Sequence, residues 1–190
     1  MEYLDIVDEN GIPSGETVSR EEAHRLGVQH RTSHVWIVRK TDNGYDILLQ
    51  KRSLNKDSHA GMYDTSSAGH IVAGDEPLES ALRELDEELG IKADESELKK
   101  IGKFHGEYSK EFHGRLFKDN EISFVFIYQG NVDIDNLVLQ KSEIDEVRWF
   151  DLDKVWEEIQ LTRKRICVPS GSLEILRKYL LGQPMSHSLK

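Results

Sequence analysis

Apolar residues recur along this chain with two periods. Between Pro77 and Gly90 they return every three or four positions, at Leu78, Ala81, Leu82, Leu85 and Leu89, which is the stripe of an amphipathic helix packed on a sheet. Pro77 suits a first helical position, Asp75 and Glu76 supply the acidic bias of an N-terminus, and Gly90 ends the helix. Elsewhere alternating or short apolar runs predict strands over residues 3–7, 32–39, 45–50, 98–108, 122–129 and 147–150. The turn-rich stretch from Asp8 to Gly15 makes the first of these half of a hairpin, and Asp42-Asn43-Gly44 joins two others. Ser19, with Glu22 three residues on, starts a short helix that carries His24. Asp151 caps a helix to about residue 159, and Ser172 caps a last one to about residue 181. Residues 109–120 are charged and interrupted by Gly114, and read as a long loop suited to a mobile lid. Strands and helices interleave without strict βαβ repetition, so the class is α/β, with a mixed sheet between helices.

The central helix also carries chemistry. Glu84, Glu87 and Glu88 stand at i, i+3 and i+4 and share one face, while Asp86 points elsewhere, into water. An acidic amphipathic helix is the ordinary reading of such a run. Three neighbouring carboxylates nevertheless repel one another unless a cation neutralises them, and hard oxygen ligands suit Mg²⁺ or Mn²⁺. Arg83 can hydrogen-bond and orient Glu84.

Composition adds bounds. With 190 residues, 37% hydrophobic, the chain has core enough for one domain. That domain is expected over residues 1–182, with an N-terminal hairpin and short helix over 1–31 and a flexible tail over 183–190. A formal charge of −10 argues against general nucleic-acid binding, though not against a nucleotide, since a bound cation reverses the sign locally. The single Cys167 excludes an intramolecular disulfide and a cysteine-built zinc site; it reads as a small buried hydrophobe in a reducing cytoplasm. No signal peptide and no run long enough to span a bilayer is visible, so no membrane partner is expected.

Gly69, five residues, Asp75, seven residues, and then Arg83-Glu84-Leu85-Asp86-Glu87-Glu88-Leu89-Gly90-Ile91 resembles the box of the Nudix hydrolases. The departure is Asp75, where the family usually has glutamate. The resemblance implies an α/β/α sandwich with a mixed β-sheet, and hydrolysis of a phosphoanhydride. The implied substrate is a nucleoside diphosphate derivative or a simpler organic diphosphate. It also implies that Glu84, Glu87 and Glu88, with the Gly69 carbonyl, hold Mg²⁺ or Mn²⁺. Glu121 is the first candidate for the carboxylate that orients or deprotonates water, on the expectation that it comes after an irregular loop and faces the helix; Glu87 is the second. Related folds often pair, so a homodimer stays open.

A wider and looser likeness covers about residues 20–126. Ala23-His24, His30, Trp36, Arg52-Ser53-Leu54-Asn55-Lys56, Gly69-His70 and Asp119-Asn120-Glu121 resemble the type I isopentenyl-diphosphate isomerases, which share the Nudix fold. This likeness implies a second metal centre of His24, His30, His70, Asp119 and Glu121, whose imidazoles suit Mn²⁺ or Zn²⁺ better than Mg²⁺. It implies a diphosphate grip by Arg20, Arg52 and Lys56. Two departures weigh against isomerisation. Ala68 stands where the isomerase has its proton-transferring cysteine, and none of Trp36, Trp149 and Trp156 falls near residues 168–171, where a carbocation-stabilising tryptophan is sought. Hydrolase therefore leads, with an isomerase using a substitute acid and a binding-only domain as alternatives.

Overall fold

The computed structural model describes residues 1–56 and 58–182; the expected tail lies outside them. A hairpin of β1 (Tyr3–Val7) and β2 (Pro13–Ser19) leads into α1 (Arg20–Leu26). Ser19 caps α1, its Oγ accepting the Glu22 N–H at 3.3 Å, and Gly27 closes it at φ 77°. Leu4, Val18 and Ala23 give this unit a small core of its own.

The main sheet is built on β3 (His30–Thr41). One edge of β3 runs parallel to β8 (Arg115–Tyr128), from His30 opposite Glu121 to Ile37 opposite Tyr128. The other edge is shared. Thr32 to Val35 pair with β6 (Ser67–His70), and Val38 to Thr41 pair with β4 (Gly44–Arg52). β3 therefore exchanges one antiparallel partner for another halfway along, and the sheet forks there. The short β5 (Tyr63–Asp64) and β9 (Ile144–Asp151) extend it from β4, and β7 (Leu98–Phe112) from β8.

Period-two alternation sends the two faces of these strands to two cores. Val35, Ile37, Leu48, Ile122, Phe124 and Phe126 meet Ala81, Leu85 and Leu89 of α2 (Pro77–Leu89). On the other face Trp36, Ile47, Leu49, Val125 and Ile127 pack on α3 (Leu152–Leu161) and α4 (Ser170–Leu180). The result is the α/β/α sandwich around a mixed sheet. Asp151 caps α3 as expected, accepting the Lys154 N–H at 2.9 Å.

Two expectations need correction. Ser172 lies inside α4, which begins two residues earlier after Pro169; its buried hydroxyl accepts the Trp36 indole N–H at 3.0 Å. A buried indole needs an acceptor, and that need outweighs the capping preference of serine here. Residues 109–120 are not an irregular loop. β7 and β8 run on as one antiparallel hairpin, closed at His113 and Gly114 with φ of 51° and 75°. Two successive positive φ values are what a tight hairpin turn requires, so Gly114 marks the turn rather than a break. Phe112 and Phe117 pack edge-on across it, 5.9 Å between centroids, which argues against a mobile lid.

The loop before α2 is tied down by a buried charge pair. Arg31 donates to Asp5 at 2.7 Å and to the Asp75 carbonyl at 3.0 Å, and the Gly74 N–H donates to the same Asp5 carboxylate. This fixes where α2 starts relative to β1 and β3.

Candidate functional site

The first half of the site is α2 against β6. Glu88 is buried, and its Oε2 accepts the Ala68 N–H and the Gln50 amide, both at 3.3 Å. Burial, reinforced by the charge of Glu84, pushes the Glu88 carboxyl up to about 8. Glu84 is half-buried; burial raises its pKa too, against the pull of Arg83. Arg83 holds the group together, donating to Glu84 at 3.3 Å, to the His70 carbonyl at 3.2 Å and to Asp75 at 3.1 Å. The shortened Asp75 thus still anchors the arginine that orients Glu84. Glu87 is exposed, at the open side of the same helix face, and Asp86 faces water as expected. Gly69 is required by contact: a Cβ there would overlap the Glu84 carboxylate. Among the described residues the three carboxylates do not converge within the 4.8 Å that the histidine groups reach, as repelling charges on one helix should not.

One consequence is measurable. A carboxyl whose folded pKa is raised stabilises the fold fully below its unfolded pKa, and the stabilisation is lost as pH climbs to the folded value. Metal-free Glu88→Gln should therefore melt like the parent near pH 4.5 and progressively above it up to pH 8. The gap widens by at most about 1.4 kcal/mol per pH unit. Thermal melts across that range check it, and a constant gap would show that Glu88 is not desolvated.

The second half is a histidine and acid cluster where α1, β3, β6 and β8 meet. Nε2 of His24 and Nε2 of His70 lie 3.0 Å apart. His24 Nδ1 approaches Asp119 at 3.4 Å, while Glu121 lies 3.5 Å from His30 Nε2 and 3.8 Å from His70 Nε2. His30 Nδ1 is 2.8 Å from the Val28 carbonyl; donation there leaves Nε2 as the free lone pair turned inward. Thr32 donates to Glu121 at 3.2 Å. Ligating atoms of His24, His30 and His70, and of His30, Asp119 and Glu121, fall within 4.8 Å of one another. His24 Nδ1 and His30 Nε2 are buried without a hydrogen-bond partner, which suits a cation held between them. Burial, with repulsion from His30, lowers His24 to about 4, and burial holds His70 well below the ordinary range. Burial opposes the charge on both acids; the imidazoles draw Glu121 down, while burial and Glu121 push Asp119 up.

Strand alternation separates the two halves. Glu121 shares its face of β8 with Val125 and Ile127, away from α2, whereas Ile122 and Phe124 face α2. The expectation that Glu121 faces the box helix is therefore corrected: it begins no strand, lying within β8, and its carboxylate is engaged by imidazoles. On β6 likewise Gly69 meets Glu84 while His70 turns to the histidine cluster. One turn of chain thus feeds both halves.

The three expected diphosphate cations are all engaged with carboxylates; Arg52 and Lys56 lie at the end of β4 and in the turn after it, and Arg20 lies apart on α1. Arg20 opens α1 and pairs with Glu2 at 3.2 Å. Arg52 ends β4, bonded to Asp64 at 3.1 Å and to Ser58. Lys56 pairs with Glu143. A phosphate would have to exchange with these partners. Neither neighbouring serine can replace the thiol absent at Ala68. Ser66 is locked between the Leu48 carbonyl and the Ile37 N–H, and Ser67 alternates onto the Gly69 side. Cys167 is half-buried against the Tyr63 carbonyl, with burial pushing its thiol well up.

Sequence reasoning gives no role in the site to His34, Asp64 or Gln50. His34 is buried opposite Ala68, with Nδ1 unpartnered and burial lowering its pKa. Its spacing of four from His30 on one strand was the available signal. Nothing in the sequence pairs Asp64 with Arg52.

Comparison with known proteins fits this geometry. The family model described as the NUDIX domain matches residues 29–168. An uncharacterized Nudix hydrolase of Clostridium acetobutylicum is 38% identical over 154 residues, covering 81% of this chain and 72% of that protein. Nudix hydrolase 3 of Arabidopsis thaliana is 40% identical over 150 residues, 78% of this chain but only 19% of the plant protein. An isopentenyl-diphosphate Delta-isomerase of Photorhabdus laumondii is 27% identical, covering 81% of this chain and 80% of that one. In fold, a crystal structure from Deinococcus radiodurans superposes with TM-score 0.68 at 16% identity, covering 94% of this chain and 99% of that one.

Proposed function

This chain belongs to the Nudix family of hydrolases, and on that premise we propose that it cleaves a phosphoanhydride bond in a nucleoside diphosphate derivative or another organic diphosphate, with Mg²⁺ or Mn²⁺. The observation that carries this reading is the packing of Gly69 on Glu84, beside a buried Glu88 held by Ala68 and Gln50. A buried carboxyl beside a half-buried one costs free energy that a divalent cation would offset.

Glu84 and Glu88, with the Gly69 carbonyl and Glu87 at the open side, would hold the ion. When bound, the ion would polarise the phosphoryl oxygens and lower the pKa of a water. Arg83 orients Glu84. Glu87, exposed and free of the imidazoles that engage Glu121, orients and deprotonates the attacking water in this scheme. His24, His30, His70, Asp119 and Glu121 suit a second ion, Mn²⁺ or Zn²⁺. Arg52 and Lys56, and Arg20 beside the histidine cluster, exchange their carboxylate partners for the phosphates. We take residues 1–182 as one domain acting in the cytoplasm; among the described residues no helix is long and apolar enough to cross a membrane. The isomerase alternative loses support at Ala68, and a binding-only domain at the complete Glu84, Glu87 and Glu88 set.

A phosphorus NMR time course with Mg²⁺ and Mn²⁺ tests this. The pool contains nucleoside di- and triphosphates, nucleotide sugars, coenzyme A and isopentenyl diphosphate. New monophosphate resonances are expected from at least one member. No cleavage of any, or a shifted double bond in isopentenyl diphosphate, would overturn the hydrolase reading.

A further inference from the structure

A cavity of about 550 Å³ opens where the tip of the β1–β2 hairpin, the start of α2 and the β7–β8 pair meet, and it shares no residue with either metal half. Its walls are apolar: Leu78, Leu98, Phe124 and Phe126, with Ile12, which stays 61% exposed. Lys100 and Lys103 join them from β7. Strand residues three apart normally face opposite ways. Here the register slips by one residue between Lys100 and Gly102, so Lys100 falls opposite Phe126 and Lys103 opposite Phe124, and both phenylalanines belong to the core under α2. The bulge thus turns a second lysine to the same side as the first.

Lysine stems often cover an apolar strand face while their heads reach water, which accounts for one lysine here but not for a bulge that adds another. The Lys100 ammonium lies 4.5 Å from the centre of the Phe124 ring, and burial, with the charge of Lys103, lowers its pKa. The Lys103 ammonium donates to the Asn10 carbonyl at 2.7 Å, which leaves it further N–H groups to donate. Among the described residues neither lysine forms an ion pair, in a chain of formal charge −10. The nearby acids are engaged: Asp8 accepts the Asn10 and Ile12 N–H groups, and Glu76 forms a capping box with Glu79. Arg31, 4% exposed, also lines the cavity, and its Nε is buried without a hydrogen-bond partner. The start of α2 adds the positive end of a helix. Positive charge therefore converges on an apolar cavity whose acids are turned elsewhere.

We propose that this cavity binds an amphiphilic organic anion, its head between Lys100 and Lys103 and its apolar body against Leu78, Phe124 and Phe126. The head is a carboxylate or a phosphate monoester, which share the negative oxygens that ammonium groups recognise. A bare inorganic ion would leave the apolar walls in water, and an uncharged hydrocarbon would leave the two cations unmet. The site stands apart from the hydrolase reading and does not depend on it.

The test is an amide NMR titration of the full chain in Mg²⁺ with four probes: octanoate, octyl phosphate, octanol and inorganic phosphate. Shifts should move at Asn10, Gly11, Ile12, Leu78 and from Lys100 to Lys103, and affinities are read from these signals alone. Octanoate or octyl phosphate should bind there at least about tenfold more tightly than octanol or inorganic phosphate, the size of a charge-assisted hydrogen bond. The tighter of the two identifies the head. Lys100→Met keeps the stem and removes the charge; it should cost that anion about tenfold, again one charged contact. It should leave octanol unchanged, and Lys100→Arg should keep the anion bound. No shift at the cavity with any probe, shifts confined to the surroundings of Arg52 and Lys56, octanol bound as tightly as the anions, or indifference to Lys100→Met would overturn the site. Turnover does not enter this readout.

Discussion

Replacing Glu84 by glutamine should lower kcat on the order of 10³-fold, with the fold intact. The loss corresponds to several kcal/mol of charge stabilisation by a divalent cation. The carboxamide matches the carboxylate in shape, and burial already disfavours the Glu84 charge, so removing that charge does not unfold α2. Arg83 keeps its bonds to Asp75 and to the His70 carbonyl. Steady-state rates beside a thermal melt check this. A loss under tenfold would remove Glu84 from the ion's ligands. The same substitution at the exposed Glu87, the ligand at the open side that also orients the water in this scheme, should depress kcat with a smaller loss of ion affinity than Glu84→Gln.

Gly69→Ala should be as damaging by a different route. The added Cβ would stand within contact of Cδ and Oε1 of Glu84 and 2.6 Å from Oε2. Gly69 lies on β6, paired with Ser33 of the buried β3, so the strand cannot retreat and Glu84 must. We expect ion affinity at least about tenfold weaker and a stability loss of about 1–3 kcal/mol, as for other overpacked sites. Calorimetric titration with Mn²⁺ and a denaturant melt read the two effects. Parent-like Mn²⁺ affinity would mean that Glu84 has room that the packing denies.

Much of this was legible in the sequence because the signals are local. The helix from Pro77 to Leu89 shows both ends and its buried stripe in a single run of residues. Ser19 and Asp151 each cap the helix that begins at the next residue. The histidine and acid cluster was legible only through family likeness, since His24, His70 and Glu121 come from three elements. What failed was non-local. The charged sequence from Ser109 to Asn120 gives a weak strand signal, yet pairing between β7 and β8 holds it extended to the turn. Which way Glu121 faces follows from alternation with Ile122 and Phe124, which turn to α2, and so from which side of the sheet that helix covers, a relation no local run of residues carries. Ser172 could be placed within α4 only by knowing that Trp36 lies beneath it.

The central claim is that water, activated within the Glu84–Glu87–Glu88 carboxylate set, opens a phosphoanhydride. Turnover of whichever substrate the phosphorus spectra reveal, run in ¹⁸O-labelled water with Mg²⁺, tests it most directly. The account predicts one ¹⁸O per cleavage, on a single monophosphate product, with labelled product formed on the order of 10³-fold more slowly in Glu84→Gln. Product without label, or label that survives Glu84→Gln unchanged, would contradict it.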